Sequence, residues 1–257
     1  MVTDGGYFMA IPNLIKAYVH IVPNVLTFMH LISAFIALIF ASQGMFEISL
    51  NYMVLALIFD AVDGKLARCL NASSKFGSEL DALVDMVSFS VVPSYCVYKM
   101  FHTVLGSDGV VEYISVVMGL LVLIPGFTRS AWFKMNLNAT DPKNWVGLPI
   151  SPAGIFIVAF ISFVIKNRAS LSQVALLSLV TVVVLICAYL MLSKIEYRRF
   201  RISSSLGGCL AVFGLGLIFI GYLFSGNEII FFGGGLSYLF IIHPFLFSLL
   251  EFFHSKR

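Results

Sequence analysis

Between residues 60 and 85 the chain reads Asp60-Ala-Val-Asp63-Gly64-Lys-Leu-Ala67-Arg68, then eight residues, Gly77, three residues, Asp81, three residues and Asp85. Asp60 and Asp63 are three apart, and Asp81 and Asp85 four apart. Those offsets put each pair on one face of a helix. Apolar runs flank the stretch on both sides, and only a short polar link, Leu70 to Ser78, separates the two pairs. The two helices are therefore expected as antiparallel neighbours whose acidic faces meet. Carboxylates brought together repel unless a cation or a proton lies between them. Ionisable groups at membrane depth are costly and point to function.

The rest of the chain sets that depth. Of 257 residues, 60% are hydrophobic and 11% charged, whereas a soluble domain carries about 25% charged residues. This composition excludes a soluble enzyme and gives no reason to expect a nucleic-acid partner. The fold expected is all-α, a polytopic membrane helix bundle in one domain, 1–257. Apolar runs long enough to cross a bilayer fall at about 25–43, 48–66, 80–100, 112–132, 151–166, 171–192, 206–225 and 229–250, eight spans in all. The catalytic core is expected at about 12–200, with extra C-terminal helices at about 206–250. Pro12 to Val22 is too short and mixed to span, and reads as an N-terminal interfacial amphipathic helix. The polar start containing Asp4 offers no cleavable signal pattern.

Eight spans with the N-terminus inside put thirteen Lys and Arg on the inner side. Only Lys99, Lys166 and Arg168 fall outside. This bias orients the acidic segment and both termini toward the cytoplasm, in the cell membrane. Cys69, Cys96, Cys187 and Cys209 have no metal-ligand spacing and read as small buried residues.

The acidic segment is oxygen-rich and contains no histidine. Carboxylates suit Mg²⁺, Mn²⁺ or Ca²⁺ rather than Zn²⁺, so a divalent cation is the expected cofactor. The small Gly64 and Ala67 let a bulky ligand approach the helix backbone. Arg68 offers a forked cation for a phosphate. Gly77 permits a close approach where the next helix begins. A metal and an arginine beside a pyrophosphate make a phosphoryl-transfer arrangement, in which a free carboxylate takes the nucleophile's proton. The bland alternative pairs the acids with Lys65, Arg68 and Lys75 as buried ion pairs; it does not account for eight positions at fixed offsets.

All eight positions match the signature of the CDP-alcohol phosphotransferases, which this chain resembles. The resemblance implies that Asp60, Asp63 and Asp81 are metal ligands, and that Asp85 is the base and touches a second metal. It also implies that Gly64, Ala67 and Arg68 line the CDP site, with Gly77 near the nucleotide. The implied reaction displaces CMP from a CDP-linked lipid by an alcohol. Wider stretches narrow the acceptor: Pro23-Asn24-Val-Leu-Thr27, Ser74-Lys-Phe-Gly77, Leu80-Asp81-Ala-Leu-Val-Asp85-Met-Val-Ser88-Phe89 with Pro93, and Gly147-Leu-Pro-Ile-Ser-Pro152-Ala153. Together they resemble the integral-membrane phosphatidylserine synthases over about residues 12–155, with departures at Ala82, Ser90 and Trp132. The partners implied are CDP-diacylglycerol or CDP-archaeol, L-serine, membrane lipids and a second copy of the chain in a homodimer.

Asn24 and Thr27, one turn apart, are expected either to cap and pack the start of the first span or to contact the nucleotide. Arg129, Lys134 and Lys143 are candidates for the substrate phosphate or the serine carboxylate. Arg198 is another, within the basic cluster Lys194, Arg198, Arg199 and Arg201, which otherwise anchors in anionic headgroups. Gly233-Gly234-Gly235 reads as close helix packing. The five histidines, His20, His30, His102, His243 and His254, form no ligand pattern. Two alternatives stand beside serine transfer. An inositol phosphate or glycerol phosphate acceptor would want added cations near Asp85, and a cation transporter would want acids or broken helices at mid-bilayer.

Overall fold

Long runs of Leu, Ile, Val, Phe and Ala satisfy their backbone polar groups within the segment by forming helices, the requirement a bilayer imposes. The computed structural model describes residues 5–70, 74–106, 108–135, 144–170 and 172–198. Helix α1 (Gly5–Ser42) turns at Gly44, φ +77°, into α2 (Phe46–Cys69). Helix α3 (Lys75–Met86) passes through a π-helical turn, Val87–Val91, into α4 (Val92–Leu105). Helices α5 (Gly109–Met135), α6 (Ile150–Lys166) and α7 (Gln173–Leu192) follow. The expected runs at 206–225 and 229–250, the glycines at 233–235 and Lys143 lie outside the described residues.

The helices run up and down between two ends. The end holding the acidic residues takes the C-terminus of α2, the start of α3 and the C-terminus of α5. Lys134 of α5 pairs there with Glu79 of α3. At the other end Lys166, closing α6, lies 3.8 Å from Glu47 in the first turn of α2, and Tyr98 of α4 donates to Glu112 of α5 at 2.9 Å. Four stretches are long and apolar enough to cross a membrane: Ile21–Ser42, Lys75–Leu105, Gly109–Met135 and Gln173–Leu192, among the described residues. Helix α2 carries too many charges to qualify by composition, and α6, at 17 residues, is short.

Two local features add detail to the sequence expectation. Helix α1 is unbroken from Gly5, so Pro12 to Val22 is helical but continuous with the first span. A short antiparallel pair, β1 (Asn144–Val146) with β2 (Glu196–Arg198), is added to an otherwise all-helical fold. It ties the segment before α6 to the end of α7, helped by Gly147 N–H donating to Ile195 O at 2.7 Å.

Polarity is inverted relative to a soluble protein. Phe35, Val110, Tyr113, Val174 and Tyr189 are exposed, as lipid-facing residues should be, while Thr27, Ser49, Ser88, Ser90 and Ser94 are buried. Small residues bring the helices close. Pro93 has no N–H for the carbonyl of Phe89, four residues earlier, and the π turn widens the helix there. Gly154 of α6 packs on that carbonyl; a Cβ there would lie 2.5 Å from Phe89 O. Gly126 of α5 is pressed on Ser90 in the same way. The π turn is thus clamped between α5 and α6, which fixes the direction of α3 and its two aspartates.

Candidate active site

Ser74 starts the site by capping α3. Its Oγ accepts from Gly77 N–H at 2.9 Å, satisfying a donor that a helix start leaves unpaired. Gly77 then meets α1: a Cβ on it would lie 2.9 Å from Asn24 Oδ1 and 3.0 Å from Ser74 Oγ. Asn24 and Gly77 therefore need each other's size. One turn along α1, Thr27 donates to Asp63 Oδ2 at 2.8 Å. Its Oγ is also 3.2 Å from Pro23 O, but a hydroxyl has one proton, and the shorter, charged acceptor is the stronger bond. Asp63 is only 3% exposed.

These residues frame a cleft of about 160 Å³ between α1, α2 and α3. Asn24, Thr27, Asp63 and Gly64 line it, as do Ala67, Arg68, Gly77 and Asp81. Pro23, Ser74 and Ser78 complete the wall. Gly64 has room to spare: a Cβ would meet nothing nearer than Arg68 Nη1 at 3.9 Å. No protein neighbour demands glycine there, so the open space belongs to whatever enters the cleft. Arg68, exposed at the mouth, sets a positive charge against the acids below.

Deeper in the bundle lies a second layer. Helix α2 runs outward and α3 inward, so Asp60 and Asp85 come to the same depth, one turn below Asp63 and Asp81. One carboxylate oxygen from each of Asp60, Asp81 and Asp85, with a ring nitrogen of His30, all lie within 4.8 Å of one another. Asp81 Oδ1 and Asp85 Oδ1 are buried without a hydrogen-bond partner among the described residues. Unpaired buried carboxylate oxygens are expensive, and this hard donor set fits a divalent cation.

The four aspartates and Gly64, Ala67, Arg68, Gly77, Asn24 and Thr27 thus come together as two stacked layers. Among the expected acceptor contacts, Arg129 and Lys134 are held elsewhere by neighbours of their own. Arg129 is buried, 4% exposed, with Nη2 donating to Gly147 O at 3.3 Å and its guanidinium 5.4 Å from the Phe133 ring centroid. Gly147, φ +74°, is pressed against that guanidinium and the carbonyls of Met191 and Ser193. Lys134 is held by Glu79. Of Arg198 the backbone alone is described, paired with Asn144. His30 is the residue the sequence reading passed over. Its signal is phase: positions 24, 27 and 30 step by three along the apolar run that opens the first span.

Comparison with known proteins identifies the family. The family model for CDP-alcohol phosphatidyltransferase matches residues 20–191, well over half of the chain. A CDP-diacylglycerol–serine O-phosphatidyltransferase of Helicobacter pylori is 29% identical over 205 residues, covering 80% of this chain and 82% of that one. The enzyme of the same name from Methanocaldococcus jannaschii is 28% identical over 192 residues, 72% of this chain and 84% of that one. An archaetidylserine synthase of Methanothermobacter thermautotrophicus is 28% identical over 179 residues, 69% of each chain. With its signature residues gathered at one cleft and the family model spanning that cleft and the helices that build it, the chain belongs to the CDP-alcohol phosphatidyltransferase family.

Proposed function

We propose that this integral membrane transferase moves a phosphatidyl-type group from a CDP-linked lipid to the hydroxyl of L-serine, releasing CMP, in phospholipid biosynthesis. The observation that carries the reading is the stacking of a small-residue cleft bearing Arg68 directly over a buried carboxylate cluster. The names of the relatives support serine as the acceptor and either an ester-linked or an ether-linked lipid. Family membership argues against a cation transporter.

The donor fits the cleft in parts. Gly64 and Ala67 leave room for the diphosphate against α2, and Arg68 holds its oxygens with two parallel N–H donors. Asn24 and Gly77 shape the wall for the cytidine. Asp60, Asp63, Asp81 and Asp85 would hold Mg²⁺, Mn²⁺ or Ca²⁺, with Thr27 fixing the Asp63 carboxylate. When bound, such a cation neutralises the diphosphate and the departing CMP. Asp85 accepts the proton as the serine oxygen bonds to the phosphorus that carries the lipid. The bond from that phosphorus to the CMP oxygen breaks, and CMP leaves as an anion beside Arg68. For the serine carboxylate the chain offers Arg129, whose Nε has no hydrogen-bond partner among the described residues. Lys134, engaged by Glu79, is the weaker candidate, and Lys143 and Arg198 stand as further candidates for the substrate phosphate or the serine carboxylate.

Six helices running between the same two ends support six crossings within the eight expected. The charge split supports a cytoplasmic site with both termini inside, and an interfacial role for the start of α1. A homodimer is part of the same proposal. The deciding experiment supplies purified protein with CDP-diacylglycerol or CDP-archaeol, a divalent metal, and L-serine, inositol phosphate or glycerol phosphate in turn. CMP release with serine alone is expected; release only with a phosphorylated acceptor would replace this reading.

A further inference from the structure

His30 sits one turn past Thr27 on α1, fully buried, with its ring centroid 5.5 Å from that of Phe89. A leucine or methionine would fill this space against Phe89 without bringing in two polar nitrogens. Neither ring nitrogen has a hydrogen-bond partner among the described residues, and burying such a group unpaired is unfavourable. The ring nevertheless brings one nitrogen within 4.8 Å of carboxylate oxygens on Asp60, Asp81 and Asp85. No hydrogen bond is made there, so the ring does not act as a donor to the acids. The spacing suits atoms that share a partner: two donors on opposite sides of an ion, each about 2.1 Å away, stand roughly 4 Å apart.

We propose that His30 gives a ring nitrogen to the cation held by Asp60, Asp81 and Asp85, making the deeper layer a mixed nitrogen–oxygen site that favours Mn²⁺ over Mg²⁺ and Ca²⁺. The inference rests on the reading that these aspartates hold a divalent cation. Its chemistry follows from donor type. Mg²⁺ and Ca²⁺ are hard ions that take oxygen, whereas an imidazole nitrogen raises affinity for first-row transition metals, of which Mn²⁺ is the hardest. His30 also comes from α1, while the acids come from α2 and α3. A bound ion would then tie three helices at one point, and α1 would report on its occupancy.

The test reads the metal rather than turnover. Untagged full-length protein in detergent is loaded with Mn²⁺, and pulsed electron paramagnetic resonance looks for coupling to a ligand nitrogen. Protein grown with ¹⁵N-histidine should change that coupling, a result that needs no variant. His30→Leu, which keeps the packing against Phe89, should abolish the coupling. It should weaken Mn²⁺ binding by about 10–100-fold, the range seen even for outer partners of a metal site, while Mg²⁺ affinity moves less than about three-fold. Saturable Mn²⁺ without histidine coupling, or equal losses for Mn²⁺ and Mg²⁺ in His30→Leu, overturns the role of His30 and leaves the aspartate site standing. If wild-type protein binds no saturable Mn²⁺, or Asp81→Asn binds it as well as wild type, the aspartate reading falls and this inference with it.

Discussion

Thr27 donates a 2.8 Å hydrogen bond to Asp63, joining two helices across 36 residues of sequence. The bond does more than hold α1 to α2. Asp63 is buried and faces the cleft, and the threonine proton occupies one lone pair of its Oδ2. The other carboxylate oxygen is thereby aimed rather than left to rotate.

Thr27→Val keeps the shape and removes the proton. A hydrogen bond to a charged group contributes about 1.5–3 kcal/mol, so kcat/KM for the CDP-lipid should fall about 10- to 100-fold. Thr27→Ser should restore most of it. Steady-state kinetics on the three proteins decides: an unchanged kcat/KM in Thr27→Val would show that the bond only packs the helices.

Gly64 and Gly77 look alike in sequence and should respond oppositely to alanine. Gly64 lies within a helix with no atom closer than 3.9 Å to an added Cβ. Alanine there should raise thermal stability by about 0.5–1 kcal/mol, the usual gain over glycine inside a helix. It should also raise KM for the CDP-lipid, because the methyl projects into the cleft. In Gly77→Ala the methyl would meet Asn24 Oδ1 at 2.9 Å and Ser74 Oγ at 3.0 Å. It should lower the melting temperature by displacing the α3 cap. Thermal melts with KM measurements separate the two; a normal KM in Gly64→Ala would remove Gly64 from the donor site.

The contrast between these glycines shows what the sequence could and could not convey. Local spacing carries the two acidic faces and the short link between α2 and α3, and it singles out Asn24 and Thr27 as a polar pair one turn apart. A period of three or four residues survives in one dimension. The clasp of Asn144–Val146 on Glu196–Arg198 pairs segments far apart in the chain, and no local period announces it. The burial of Arg129 is equally invisible in one dimension, because Gly147, 18 residues further along the chain, closes over its guanidinium. His30 belongs to no ligand pattern in the sequence because its neighbours in space lie 30 or more residues further along the chain. Its nearness to Asp60, Asp81 and Asp85 arises only when α2 and α3 pack beside α1.

The two ends of the bundle should lie on opposite sides of the membrane. Lys75 opens α3 at the acidic end, while Lys166 closes α6 at the end where it meets Glu47. In a background lacking native cysteines, Lys75→Cys and Lys166→Cys are labelled in spheroplasts with a membrane-impermeant thiol reagent. Lys166→Cys should react at once and Lys75→Cys only after permeabilisation. Equal labelling of both would refute the proposed topology.

Asp85 separates a proton acceptor from a mere ligand. It lies one helical turn beyond Asp81 on α3, with Oδ1 buried and without a hydrogen-bond partner among the described residues. An alcohol is a weak nucleophile near neutral pH, and a positioned base contributes about 10²–10⁴-fold. Asp85→Asn is nearly isosteric and keeps one oxygen donor, but its amide cannot take the serine proton. Turnover should fall by about 10²–10⁴-fold, with KM for the CDP-lipid little changed, because the amide keeps one oxygen for the cation and Gly64, Ala67 and Arg68 are untouched. A ligand role alone makes the opposite demand: metal and CDP-lipid affinity should fall together, and raising Mn²⁺ should restore the rate. Titrating Mn²⁺ against the residual activity of Asp85→Asn, alongside wild type and Asp63→Asn, distinguishes them. If Asp85→Asn recovers with added Mn²⁺, the carboxylate is there to hold the ion. If its rate stays low at saturating Mn²⁺ while the CDP-lipid still binds, what has been lost is the acceptor for the serine proton.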